Sequence, residues 1–137
     1  MSEVTVKFAS KITQSDGETQ QISGTGVGTL LQYADGWALA YTEHAGGERV
    51  TLRLMPDGLH MLRVGENHTH IIFSAGETRR GSCVTPYGTL KMNVRTNTIT
   101  HAFLPGGTGC VVLDYSVDFQ GERTHNSMQI ACKPKES

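Results

Sequence analysis

Between Ser15 and Glu122 the chain is divided by turn pairs at Asp16-Gly17, Asp35-Gly36, Gly46-Gly47, Asp57-Gly58, Gly106-Gly107 and Gln120-Gly121, and the stretches between them alternate apolar and polar residues. Asp-Gly and Gly-Gly supply the positive backbone angles that tight hairpins need. Period-two alternation gives each strand one face for a core and one for water. No eleven-residue window places apolar residues at i, i+3, i+4 and i+7, so the pattern predicts an all-β chain without a substantial helix.

Strands are predicted over 4–13, 20–33, 37–44, 49–55, 59–64, 67–74 and 78–85. Further strands are expected around Leu90, Met92 and Val94, over 99–104 after a tight turn at Asn97, over 111–120, and around Met128, Ile130 and Cys132. Eight to ten strands joined by short turns make an antiparallel meander, which would leave two long unprotected edges if it stayed open. Closure into a barrel, with the first strand beside the last, removes them. The 137 residues suffice for one domain, 1–137, with a core over about 3–133 and a frayed tail from Lys133. A chain of that size buries roughly two-thirds of its unfolded surface without a disulfide or metal.

Composition excludes several classes of function. A net charge of −1 with interspersed acids and bases offers no basic stripe for a phosphate backbone, so nucleic acid is not an expected partner. The N-terminal residues alternate from Val4 onward and lack a basic region followed by an apolar run, which predicts no signal peptide. No apolar run reaches the ~18 residues of a membrane helix, so no membrane association is expected. Cys83, Cys110 and Cys132 are odd in number and form no C-x-x-C pair, which fits a reduced, cytoplasmic protein with no cofactor.

The ordered set Gly26-x-Gly28-x-Leu30, Tyr41-x-Glu43, Pro56-Asp57-Gly58, Arg63-x-Gly65, Thr85-Pro86-Tyr87-Gly88-x-Leu90, Thr96 and Leu113-x-Tyr115 resembles the YwiB-like family of uncharacterised bacterial proteins. The resemblance covers nearly the whole chain. It implies a calycin-like barrel, the architecture of lipocalins and fatty-acid-binding proteins, in a small cytoplasmic protein.

Polar residues that share the apolar face of their strand are the best candidates for chemistry. Tyr41 and Glu43 share parity with Trp37 and Leu39, and Arg63 shares it with Leu59 and Met61, although His60, Leu62 and Val64 form a competing apolar face. Thr96 follows Leu90, Met92 and Val94; His101 lies between Ile99 and Phe103; Tyr115 lies among Val111, Leu113 and Val117. A buried unpaired charge is too costly to keep, so Glu43 and Arg63 must pair or reach the barrel mouth. Two readings stay open: an ion pair that plugs the barrel and fixes register, or a pocket for one small ligand. On the second, Arg63 anchors a partly apolar ligand bearing an acidic or hydrogen-bonding group, Glu43 holds Arg63, and Tyr41, Tyr87 and Tyr115 line the site. The rival class is an interaction module, including a homodimer, whose barrel is scaffold. A third is a haem or metal protein using His101 or the pair His68 and His70.

Other motifs point to structure. Gly24, Gly26 and Gly28 precede a strand, whereas a phosphate loop precedes a helix, so they mark a bend or a close backbone approach. No nucleophile elbow or paired carboxylates occur, which leaves acid–base chemistry to Glu43, His101 or Tyr115 alone.

Overall fold

The computed structural model describes residues 2–135. Ten strands occur in the order β1 (Ser2–Thr13), β2 (Thr19–Tyr33), β3 (Gly36–Glu43), β4 (Arg49–Met55), β5 (Gly58–Val64), β6 (His68–Phe73), β7 (Thr78–Thr85), β8 (Gly88–Phe103), β9 (Gly109–Phe119) and β10 (Glu122–Pro134). Each pairs antiparallel with its sequence neighbours, and β1 also pairs with β10, Phe8 opposite Ile130, so the sheet closes. Closure leaves no exposed edge. The protein is a ten-stranded antiparallel meander barrel, and the described residues contain no helix.

The alternation holds around the wall. Val4 and Val6 of β1, Leu39 of β3, Leu52 of β4, Leu59 of β5, Phe73 of β6, Val94 of β8 and Leu113 of β9 are almost wholly buried. The Gln120-Gly121 turn has positive φ at both residues, 52° and 81°. That is the backbone a two-residue hairpin uses to match strand twist.

Two details differ from expectation. Asn97 does not turn the chain. It sits in a bulge between Thr96 and Thr98, so 88–103 is one strand. The extra residue shifts the alternation, which keeps Thr96 and Ile99 on the same face although they are three apart. The C-terminal segment is not frayed through residue 135: Pro134 still belongs to β10 and the Lys135 N–H donates to the Glu3 carbonyl at 2.9 Å. Residues 136–137 lie outside the described residues. Gly24, Gly26 and Gly28 mark a close approach of neighbouring strands. A Cβ at Gly24 would come 2.6 Å from the Phe8 ring, and one at Gly28 would overlap the Ala40 carbonyl oxygen.

Successive turns of a meander alternate ends, so the turns after β1, β3, β5, β7 and β9 gather at one end of the barrel and those after β2, β4, β6 and β8 at the other. The second end is packed shut. Trp37 stacks on Phe103 with centroids 4.5 Å apart and its indole N–H donates to His101 Nδ1 at 3.2 Å. Gly107 is buried against Val4, and the Cys132 thiol donates to the Gly107 carbonyl. The first end is open.

Candidate functional site

At the open end the inward faces of β1, β3, β5, β9 and β10 enclose a cavity of about 260 Å³, whose polar lining includes Tyr41, Arg63, Tyr115, Asn126 and Ser10. Its apolar walls include Phe8 and Met61. Space exists there because of β2. Its inward positions opposite Phe8 and Tyr41 are glycines, so these rings lie over bare backbone and stack 6.1 Å apart.

Arg63 lies on the inward face of β5 with Leu59 and Met61, while Leu62 is exposed on the other. Its Nη2 donates to Glu43 Oε2 at 2.8 Å, and its Nε donates to Glu48 Oε2. Nη1 has no protein acceptor among the described residues. Glu43 is buried at the end of β3, and Glu48 is half-buried in the turn that follows. One guanidinium therefore faces two carboxylates. Burial raises the Glu43 carboxyl above the usual carboxylate range, Arg63 opposes that rise, and Glu48 adds to it.

The two phenols are the other unusual feature. Tyr41 and Tyr115 are 4% and 6% exposed, and neither hydroxyl hydrogen-bonds to the protein among the described residues. Burial pushes the Tyr115 phenol up to about 12, with Arg63 opposing. Burial and then the nearby Glu43 carboxylate push Tyr41 up further, again against Arg63. Both phenols are thus neutral donors at physiological pH. Neither hydroxyl is tied to a protein acceptor, so both can donate to a group that enters the cavity; the one wholly buried side-chain polar atom without a partner among the described residues is the Thr96 hydroxyl.

The remaining candidates fall elsewhere. Tyr87 does not line the cavity: it is fully exposed at the tip of the β7–β8 hairpin, where its N–H donates to the Thr85 hydroxyl. His101 has inward parity but sits at the closed end as an exposed acceptor for Trp37, away from the Arg63 cavity. Thr96 is fully buried opposite Tyr115, with its hydroxyl unpartnered, but does not reach the cavity lining. His68 and His70 do not converge on a common point. His70 instead faces His60, Nε2 to Nδ1 at 3.4 Å, and the other nitrogen of His60 lies 2.8 Å from the Asp57 carboxylate. No group of three or more metal-ligating side chains forms among the described residues. Glu48, Asn126 and Ser10 were missed. Parity with Met128 and Ile130 marks Asn126, and parity with Phe8 marks Ser10, whereas a turn residue such as Glu48 carries no parity at all.

Fold and site define a closed all-β meander barrel with a polar-floored cavity open at one end. A family model described as a domain of unknown function, DUF1934, matches residues 6–130, and the chain belongs to that family. The barrel is similar to the crystal structure of the YwiB protein from Bacillus subtilis, with a TM-score of 0.84 at 18% identity over 98% of this chain and 93% of that one. The YwiB-like resemblance and the barrel expected from it are thereby shown. No curated protein matches the chain. Among the described residues no helix is long and apolar enough to cross a membrane.

Proposed function

We propose that the protein binds one small, partly apolar molecule in the open end of the barrel. The observation that carries this reading is the pair of buried phenols, Tyr41 and Tyr115, which share a 260 Å³ cavity with Arg63 and have no protein partner. Two phenol donors beside a guanidinium give a largely apolar cavity the few convergent polar groups that mark small-molecule pockets. The volume is just below the ~300 Å³ at which small-molecule pockets usually begin, which suits a ligand smaller than a nucleotide or one that protrudes from the mouth. Arg63 is the anchor and Glu43 holds it, so the ion pair and the pocket are parts of one arrangement. Thr96 supports Tyr115 from the neighbouring strand, and His101 and Tyr87 are outside the site.

Three unpaired cysteines fit a reducing, cytoplasmic setting. Native mass spectrometry of protein freshly purified from its own cells tests the reading. A small-molecule adduct that is lost from the Tyr41→Phe/Tyr115→Phe double variant is the expected result. An adduct unchanged by that variant, or none under conditions that preserve weak complexes, would remove it.

A further inference from the structure

A second recess lies beside the cavity. Two residues from Tyr115 and Asn126 on β9 and β10, on the same inward face, Val117 and Thr124 line this recess of about 330 Å³. Leu90 and Met92 of β8, Cys83 of β7 and Phe119 of β9 complete its walls. Tyr115 and Asn126 belong to the first space and Val117 and Thr124 to the second, with the Asn126 amide donating to the Thr124 carbonyl and hydroxyl across the boundary. The inner face therefore carries two adjacent recesses, one with a polar floor and one an apolar shelf. Leu90, 38% exposed, ends the shelf at the mouth.

Charge narrows the chemistry of the head. Arg63 is already engaged by Glu43 and Glu48, which leaves the cluster with one net negative charge. Glu122 lines the shelf, and the turns at this end carry Asp16, Glu18 and Glu66, while the arginines that flank them are Arg49 at the start of β4 and Arg123, which is paired with Asp118. An anion entering here would have to displace Glu48 and strand a carboxylate, whereas the free hydrogens of Tyr41, Tyr115 and Arg63 Nη1 all seek an acceptor. A cation would find its strongest acceptors in the Glu43 and Glu48 carboxylates, which already hold Arg63, so it would have to compete with the guanidinium beside it.

Resting on the ligand-binding reading above, the geometry points to an uncharged amphiphile: a carbonyl-bearing head, as in an amide, ester or ketone, held by Tyr41, Tyr115 and Arg63, with a short apolar tail along Val117, Met92 and Leu90. This differs from the acidic head that an arginine anchor alone suggests, because the arginine is not free. Glu48 sets the selectivity against anions.

The test uses three probes of equal tail length, octanamide, octanoate and octylammonium, with binding read by titration calorimetry on the full chain. Octanamide is expected to bind at least about tenfold more tightly than either ion. Glu48→Gln should narrow the preference for octanamide over octanoate about tenfold, and an unchanged ratio would overturn the selectivity assigned to Glu48. Leu90→Gln should weaken octanamide but leave butanamide unaffected, which locates the tail. Octanoate binding wild type as tightly as octanamide would overturn the neutral-head inference while leaving a ligand-binding cavity in place. Equal losses for octanamide and butanamide in Leu90→Gln would overturn the tail assignment. If none of the three probes binds and the double phenylalanine variant has no effect on any adduct, the ligand-binding reading itself fails.

Discussion

The two ends of the barrel are built from the same strands and differ in what those strands leave behind. At the closed end the inward side chains pack on one another: Trp37 lies on Phe103, its N–H on His101, and Gly107 against Val4. At the open end the glycines of β2 make room, two phenols lack partners, and a guanidinium is shared by two acids. Stability is concentrated at one end and unsatisfied polarity at the other. The proposed ligand site follows this contrast, with donors left free only where the barrel leaves space.

Substitutions at the two ends should therefore separate stability from binding. The largest effect is expected at the closed end: Trp37→Ala removes a 5%-exposed indole and should cost about 3–5 kcal/mol in denaturant unfolding, with probe affinity per folded molecule unchanged. If affinity falls with it, the two ends are coupled and the division drawn above is too sharp. At the open end, Arg63→Met leaves the buried Glu43 without its counter-charge. The cost should be about 2–3 kcal/mol, below the value for a wholly buried pair because 34% of the Arg63 side chain is exposed. Adding Glu43→Gln should recover most of that loss. A double variant no more stable than Arg63→Met alone would mean that Arg63 acts through packing.

A smaller effect is expected with pH. Glu43 is raised in the folded protein, so its protonated form is favoured there, and the stability it contributes is present at low pH and lost as pH rises through its folded value. The stability of wild type relative to Glu43→Gln should thus fall as pH climbs from the ordinary carboxylate range through that raised value and be flat above it. Asp57, Asp114 and Asp118, which are lowered by their partners, lose stability as pH falls, but they are common to both proteins and cancel. Carbon-13 titration of the Glu43 carboxyl should show a lower value in Glu48→Gln and a higher one in Arg63→Met. The smallest stability change belongs to Tyr41→Phe. Removing a hydroxyl without a protein partner should leave stability within about 1 kcal/mol of wild type or raise it, while binding weakens. A clear loss of stability would show that the hydroxyl serves the fold.

Much of this arrangement is legible in the sequence because strand parity is a strict rule: it placed Tyr41, Glu43, Arg63 and Tyr115 on the inside, where the barrel brings them to one end. Parity gives a face and not a depth. His101 obeys the rule and still lies at the wrong end, because its strand reaches the closed side of the barrel. A bulge breaks the rule by one residue, which is why Asn97 read as a turn. Turn residues have no parity, so the pattern fixes neither Tyr87, which is wholly exposed, nor Glu48, which decides the charge of the cluster. The glycines of β2 read as a bend or a close approach, and choosing between them needed the positions of Phe8 and Tyr41 on the neighbouring strands.

The methionines offer the most direct measurement, since Met61 and Met128 line the open-end cavity, Met92 lines the shelf, and Met55 closes β4 beside a turn of the other end. Octanamide added to protein carrying carbon-13 methionine methyl groups should shift Met61, Met128 and Met92 in a saturable way and leave Met55 in place. Shifts confined to Met55, or no saturable shift at Met61 and Met128, would contradict a ligand site at the open end of the barrel.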